Sequence, residues 1–129
     1  GYFADDSENQ QVVAEIHRVL RPGGRVVFDF LNPDHVRANL VPQDSFACDG
    51  LTVTQYRRLN PENNSVDKDL IVTENGVERC YHESVKLYGR DDFQRFFAAT
   101  GLTLTDCFGS TAGAAYGPAS KRMIIIGRK

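Results

Sequence analysis

The residues from Glu15 to Asn32 constrain the fold more than any other stretch, because a helical pattern, a tight turn and an apolar run follow one another there. Pro22 cannot continue a helix, and Gly23-Gly24 favour a reversal of the chain. Before the turn, apolar residues recur at a spacing of three and four, which predicts one apolar helix face that packs on a core. That face consists of Val12, Val13, Ile16, Val19 and Leu20.

The apolar run after the turn predicts a buried strand. Val26 to Leu31 is almost continuously apolar, and only Asp29 interrupts it. A continuous rather than alternating run is typical of a strand that is covered on both faces. Helix, short loop and central strand form one unit of a parallel α/β sheet, whose ligands bind beyond the carboxyl ends of the strands. We therefore expect functional residues near Asp29 and Asn32.

The remaining elements of this α/β pattern follow from caps and periodicity. The spacing of Ser7 and Gln10 predicts a capping box and a helix that starts near Ser7. Asn32-Pro33 predicts a short helix through about Leu40. A helix with an aromatic face follows Gly89 and ends at Thr100-Gly101. The final elements are a half-covered strand from Leu102 to Phe108, a flexible connection over 109–120 and a buried strand from Met123 to Ile126.

Between Ser45 and Tyr88 the apolar period changes to two, which predicts an antiparallel meander of about three strands. Asn75-Gly76 is a strong hairpin signal. The meander forms either a lid or wall over a pocket, or an edge extension or dimer surface. Its pocket-facing candidates are Tyr56, Tyr81, His82 and Tyr88. Tyr81 and His82 point to opposite faces, so at most one of them serves the same cavity.

Composition limits the class of protein. With 129 residues the chain has room for one domain, and a net charge of −2 provides no basic surface for nucleic acid. No apolar run approaches the length that a bilayer requires, so we predict a cytoplasmic protein without a membrane segment. The cysteines and histidines have no metal-ligand spacing. Cys48, Cys80 and Cys107 are predicted to be buried or half-buried free thiols.

The sequence Leu20-Arg21-Pro22-Gly23-Gly24, followed by an apolar strand, resembles the region after the main motifs of class I S-adenosylmethionine-dependent methyltransferases. In that family a helix that ends in RVLRPGG leads into the fifth strand of a seven-stranded sheet. The segment from Tyr88 to Gly101 resembles the family's helix ending in AATG, and Lys121 to Lys129 resembles its closing antiparallel strand. The resemblance implies the C-terminal half of a doubly wound, Rossmann-like sheet over residues 1–129, with an antiparallel insert at 45–88.

The resemblance also implies a function, the methylation of an unidentified small molecule with S-adenosylmethionine as cofactor. Gly1, Tyr2 and Phe3 would flank the cofactor, while Asp29, Asn32 and His35 would border the methyl acceptor. A general base, where one is needed, would be His35 or His82. The family's glycine-rich loop and ribose-binding acidic residue belong to an N-terminal half that precedes these residues. We expect this chain alone to be inactive and not to bind S-adenosylmethionine.

Two other function classes fit parts of the sequence. The first is a non-catalytic α+β interaction or dimerisation module, since the apolar strand would have an unpaired edge that favours self-association. The second is half of a nicotinamide-dependent dehydrogenase, which shares the α/β arrangement. The antiparallel insert and the closing strand argue against the dehydrogenase.

Overall fold

The computed structural model describes residues 1–129 and contains two separate antiparallel sheets. The helices are α1 (Asp6–Val19), α2 (Pro33–Asn39) and α3 (Arg90–Thr100). The strands are β1 (Arg25–Leu31), β2 (Gln43–Cys48), β3 (Leu51–Asn60), β4 (Ser65–Glu74), β5 (Val77–Lys86), β6 (Thr103–Phe108) and β7 (Arg122–Arg128). None of the helices is long and apolar enough to cross a membrane.

The first sheet has the order β1-β7-β6. Because β7 is antiparallel to both neighbours, β1 and β6 run in the same direction. The predicted closing strand therefore lies beside β1, as expected from its continuous apolar run. The core lies between this sheet and helices α1 and α3, and its buried residues are Val13, Tyr88, Phe93, Phe97, Leu102, Met123 and Ile125.

Strand β1 is not covered on both faces, and this part of the prediction is wrong. Phe28 and Phe30 pack on Phe93 of α3, with ring centroids 5.4 and 5.1 Å away. Val27 points the other way and is 61% exposed. Helices α1 and α3 both contribute to the core on the face of Phe28, and β1 is an edge strand, so the opposite face has little cover. An apolar run alone cannot distinguish a strand with one covered face from a strand with two.

The apolar face of α1 is also narrower than predicted. Val13 is buried in the core and Leu20 packs against it, whereas Val19 is 66% exposed. The cap differs too, because Asp5 rather than Ser7 is the N-cap, and its side chain accepts a hydrogen bond from the Ser7 backbone N–H at 2.7 Å. The predicted caps of the other helices are confirmed, with Asn32 starting α2 and Gly101 (φ 84°) ending α3.

The second sheet is a meander in the order β2-β3-β4-β5, so it has four strands rather than about three. The strand that the sequence analysis did not predict is β2, whose residues are all exposed and therefore show no burial pattern. It joins β3 through Asp49 and Gly50, which adopt φ angles of 50° and 80°. Asn75 and Gly76 form the same kind of turn between β4 and β5, as the sequence predicts.

The cysteines are more accessible than predicted. Cys48 and Cys80 are exposed on the meander, and only Cys107 is half-buried. Cys48 lies on β2, where every residue is exposed, and Cys80 lies in the exposed part of β5, so neither thiol reaches the core.

A close contact between β7 and α3 provides a test of this packing. A Cβ atom on Gly127 would lie 2.6 Å from Phe97 Cε2 and 2.9 Å from Val26 Cγ1. Because both neighbours are held in the core, we expect Gly127→Ala to lower the free energy of unfolding by about 1–3 kcal/mol. Urea denaturation measures this change.

Gly117→Ala is the matched control for that substitution. No atom lies within 4 Å of the Cβ position of Gly117. We expect its effect to stay within about 0.5 kcal/mol. Equal effects of the two substitutions would contradict the packing described for Gly127.

Candidate functional site

A cavity of about 370 Å³ lies at the carboxyl end of β1, and we call it the β1 cavity. Its walls come from β1, from α2 and from the meander strands β3 to β5. The apolar lining consists of Tyr2, Phe30, Leu31, Val36, Leu40, Val66 and Val85, and the charged lining of Asp29, Arg57, Lys68, Glu83 and Arg122. Small-molecule sites typically combine such apolar walls with a few oriented polar groups.

An ion pair between Asp29 and Arg122 forms one side of the β1 cavity. Arg122 Nε donates to Asp29 Oδ1 at 2.7 Å, and both side chains are about half exposed. The two residues lie on neighbouring strands, since β1 pairs with β7. The pair leaves the second carboxylate oxygen, Oδ2, without a hydrogen-bond partner in the chain.

A second ion pair lies on the meander wall. Lys68 Nζ is 2.6 Å from Glu83 Oε2, and the two residues are direct cross-strand partners on β4 and β5. Arg57, the partner of Lys68 on β3, is held by Asp44 at 3.2 Å and by Gln55 at 2.7 Å. The charges of this wall are therefore fixed in place before any ligand binds.

Asn32, immediately after β1, holds the neighbouring loop in position. It is completely buried, and its Nδ2 donates to the carbonyl oxygens of Gly117, Pro118 and Ser120. Its Oδ1 accepts hydrogen bonds from the Asp34 backbone N–H at 3.2 Å and from the Tyr116 hydroxyl at 3.1 Å. Both ends of the amide are thus used within the chain, and they connect β1, α2 and the 109–120 connection.

A smaller apolar cavity of about 220 Å³ adjoins the β1 cavity and shares Tyr2 and Phe30 with it. The N-terminal residues form part of its wall. The Gly1 carbonyl accepts a hydrogen bond from the Lys86 backbone N–H at 2.7 Å, and the Asn9 side chain donates to the Phe3 carbonyl at 2.8 Å. These bonds attach the start of the chain to the core.

Tyr88 lies at the base of the smaller cavity. Its ring packs against Phe30, Phe93 and Phe96, and its hydroxyl donates to Asp6 Oδ1 at 2.6 Å. Burial raises the pKa of the Tyr88 hydroxyl, and the hydrogen bond to Asp6 raises it further. The phenol therefore stays neutral well above the pH at which an exposed tyrosine ionises.

No family model and no curated protein matches this sequence. Solved structures do match. The methyltransferase CcbJ from Streptomyces caelestis superposes with a TM-score of 0.80 at 17% identity, over 98% of this chain and 55% of its own. An S-adenosylmethionine-dependent methyltransferase from Clostridium acetobutylicum superposes with a TM-score of 0.79 at 11% identity, over 98% of this chain and 53% of its own. The sugar N-methyltransferase KedS8 from Streptoalloteichus superposes with a TM-score of 0.61 at 19% identity, over 99% of this chain and 51% of its own.

The chain has the fold of S-adenosylmethionine-dependent methyltransferases. It spans about half the length of the solved structures that it matches. The predicted fold class is therefore confirmed, since the arrangement of β1, β7 and β6 with α1 and α3 belongs to this methyltransferase fold.

Within the methyltransferase fold, several of the predicted site residues lie together. Asp29 and Tyr2 line the β1 cavity. Gly1, Phe3 and Tyr88 line the smaller cavity next to it, together with Tyr2. Their roles as binding residues remain predictions.

Other predicted site residues lie elsewhere. Asn32 is buried beneath the 109–120 connection rather than in a cavity wall. His35 lies on α2, where its Nδ1 is 3.3 Å from Asn39 Nδ2, and it is not among the residues that line the β1 cavity. Tyr56 and His82 share the outer face of the meander, and His82 Nδ1 is 2.6 Å from Asp69 Oδ1.

Tyr81 and His82 do point to opposite faces of β5, as the alternation predicts. Tyr81 is on the face of Glu83 and Val85, but it lies nearer the Asn75-Gly76 turn and is exposed. It therefore shares the sheet face of the β1 cavity without contributing to its wall.

The sequence analysis named Asp29 but missed the other charged residues of the β1 cavity, which are Arg57, Lys68, Glu83 and Arg122. One pair had a usable signal, because Lys68 and Glu83 are equally far from the Asn75-Gly76 turn and must face each other in a regular hairpin. Arg122 had no comparable signal. Its contact with Asp29 depends on β7 pairing beside β1.

Asn32→Ala tests whether the amide holds the 109–120 connection. The substitution leaves the Gly117, Pro118 and Ser120 carbonyls without their donor, so we expect the free energy of unfolding to fall by about 2–4 kcal/mol. Asn39→Ala removes an exposed amide of the same helix and should cost at most about 0.5 kcal/mol. If Asn32→Ala lowers the free energy of unfolding by no more than Asn39→Ala does, the side chain of Asn32 does not hold the 109–120 connection.

The raised pKa of Tyr88 predicts a loss of stability at alkaline pH. Below about pH 10 the phenol is protonated in both folded and unfolded states, so it contributes no pH dependence. Above that pH the unfolded state loses the proton while the folded state keeps it. Folding stability therefore falls as pH rises, by up to about 1.4 kcal/mol per pH unit from this group.

Tyr88→Phe removes the titrating group and should flatten the alkaline decline in a series of thermal melts. Tyr56→Phe, which removes an exposed hydroxyl, should leave the wild-type profile unchanged. If the Tyr88→Phe protein declines as steeply as the wild type, the alkaline loss belongs to other groups.

Proposed function

We propose that this chain is the C-terminal part of an S-adenosylmethionine-dependent methyltransferase that acts on a small molecule in the β1 cavity. The observation that carries the proposal is the position of this cavity at the carboxyl end of β1, within a methyltransferase fold. Ligands of open α/β sheets bind at this end of the strands. The cavity volume of about 370 Å³ suits a small molecule.

Methyl transfer makes modest chemical demands on the protein. When bound, S-adenosylmethionine would supply an electrophilic methyl group, and transfer of that group to a lone pair of the acceptor would break the carbon–sulfur bond and release a neutral thioether. The main task of the site is to hold donor and acceptor in line, which removes an entropic part of the barrier. An amine or hydroxyl acceptor also loses a proton, for which an oriented oxygen is sufficient.

Asp29 is the residue to which we assign contact with the acceptor. Arg122 holds one carboxylate oxygen at 2.7 Å, and the other oxygen has no partner in the chain. This free oxygen accepts a hydrogen bond from an N–H or O–H group of the acceptor. Arg122 fixes the orientation of the carboxylate.

An amino sugar is the acceptor class that we propose first. KedS8, which shares the fold, is described as a sugar N-methyltransferase. The β1 cavity offers two carboxylates, Asp29 and Glu83, for amine and hydroxyl groups. Its apolar walls suit the carbon–hydrogen faces of a sugar ring.

S-adenosylmethionine would touch this chain only at the edge of its own site. Gly1, Tyr2 and Phe3 line the smaller cavity, whose 220 Å³ is below the roughly 300 Å³ of a typical small-molecule pocket. The residues present therefore fit part of the cofactor and not the whole of it. The cofactor supplies the methyl group, and we assign most of its binding to an N-terminal half.

The proposal is tested with the full-length protein that carries this chain. With methyl-labelled S-adenosylmethionine and a panel of amino sugars, label should appear in one acceptor, and calorimetry should show cofactor binding. The isolated 129-residue chain should show no micromolar binding. Absence of both binding and transfer in the full-length protein would refute the proposal, whereas binding without transfer to the panel would refute only the acceptor class.

Asp29→Asn tests the assigned residue in that transfer assay. The substitution keeps an oxygen for Arg122 but replaces the free carboxylate oxygen with an N–H donor. A hydrogen bond to a charged group contributes about 1.5–3 kcal/mol, so we expect kcat/KM to fall about 10- to 100-fold. Asp49→Asn, in the exposed β2–β3 turn, is the control and should keep the wild-type rate. An unchanged kcat/KM for Asp29→Asn would remove Asp29 from the site.

A further inference from the structure

Two carboxylate–cation pairs of the same construction line the β1 cavity. In each pair a basic residue holds one oxygen of a carboxylate on the neighbouring strand, and the pairs are Arg122 with Asp29 and Lys68 with Glu83. The second oxygen of each carboxylate makes no hydrogen bond or ion pair within the chain. One pair belongs to the sheet of β1 and the other to the meander, so two separate walls of the cavity each carry one free carboxylate oxygen.

The neighbours of Glu83 leave it with a single cation. Arg57 and Lys68 lie directly opposite each other on β3 and β4, an arrangement in which like charges repel unless each has its own partner. Asp44 and Gln55 hold Arg57 at 3.2 and 2.7 Å. Lys68 is therefore left to Glu83, and their contact of 2.6 Å fixes the direction of the carboxylate.

The Lys68–Glu83 pair has little to do for the stability of the sheet. The side chain of Glu83 is 46% exposed, and ion pairs with so much contact to solvent stabilise proteins only weakly. Glu83 nevertheless lines the β1 cavity, where a bound ligand would replace the water around its free oxygen. The pair is thus better placed to act on a ligand than on the fold.

On the basis of the function proposed above, we propose that Glu83 determines which acceptors the β1 cavity binds. Its free oxygen accepts a hydrogen bond from a hydroxyl group of the acceptor, while Asp29 contacts the group that is methylated. Lys68 is a positioning residue that acts through Glu83. The substrate class is therefore an amino sugar with a free hydroxyl group at the meander wall, and not any amine that fits the volume.

The physical basis of this selection is the cost of an unfilled acceptor. An analogue that lacks the matching hydroxyl displaces water from Glu83 without replacing its hydrogen bond. A site that is built to bond a hydroxyl group rejects such an analogue more strongly than an apolar pocket rejects a change of size.

The preference is tested by ligand-observed NMR titration of the full-length protein that carries this chain. The probes are methyl glycosides of aminodeoxy-glucoses that differ in the position of the amine, together with analogues that each lack one hydroxyl. We expect the loss of one particular hydroxyl to weaken binding about 10- to 100-fold, as for a hydrogen bond to a charged group. In Glu83→Gln, which offers only a neutral acceptor, this ratio should shrink about 5- to 10-fold.

Glu78→Gln is the matched control, since Glu78 is exposed on the opposite face of the same strand. It should keep the wild-type ratio. The role of Glu83 is overturned if no sugar of the panel binds or if every deoxy analogue binds as well as its parent. It is also overturned if Glu83→Gln keeps the wild-type ratio, or if this variant weakens parent and analogue equally, as a purely structural effect would.

Lys68→Met and Lys68→Arg test the positioning role. Methionine removes the cation that directs Glu83, so the ratio should fall at least about 2-fold. Arginine also donates to a carboxylate and should restore it. If Lys68→Met keeps the wild-type ratio, Lys68 does not position Glu83.

Cofactor binding and methyl transfer are measured separately in the same protein, so the two proposals fail in different ways. A hydroxyl preference that depends on Glu83, without methyl transfer, refutes the methyltransferase function and leaves the role of Glu83 in ligand selection. Methyl transfer with equal kcat/KM to an acceptor and to all of its deoxy analogues refutes the role of Glu83 alone.

Discussion

The packing of Phe28 and Phe30 against α3 determines the direction in which the other side chains at the end of β1 point. Successive side chains of a strand point to opposite faces. Once the two phenylalanines face Phe93, Asp29 and Leu31 must face the other side of the sheet. Asp29 and Leu31 line the β1 cavity from that side and Phe30 also borders it, so the aromatic contact in the core orients the side chains of β1 that surround the cavity.

The β1 cavity is formed by parts of the chain that are far apart in sequence. Asp29 comes from β1, Arg122 from β7, and the Lys68–Glu83 pair from the meander. Asn32 fixes the loop that leads into β7 by donating to three of its carbonyls. The β1–β7 pairing places Asp29 beside Arg122, and the buried amide of Asn32 holds the loop that precedes β7.

Local sequence signals predicted most of the helices, strands and turns, but they did not predict which faces of these elements are buried. Pro22 with Gly23-Gly24, Asn32-Pro33 and Asn75-Gly76 act through their own backbone chemistry, so their turns and caps are where the sequence predicts. The second face of β1 was predicted wrongly because cover depends on other elements. Strand β2 was missed because its exposed residues show no alternation. Of the cavity residues, Asp29 was predicted from its place near the carboxyl end of the strand and Tyr2 from the resemblance to the methyltransferase family. The contact of Arg122 with Asp29 depends on tertiary pairing.

The Asn75-Gly76 turn has a consequence beyond joining β4 and β5. Its left-handed residues fix the register by which Lys68 opposes Glu83 and Val72 opposes Arg79. One additional residue on the β5 side would exchange the two faces of that strand. His82 and Ser84 would then turn toward the side of the cavity, and Tyr81 would turn to the opposite face of the sheet. The left-handed backbone of two residues in a distant turn therefore determines which side chains of β5 lie on each face of the sheet.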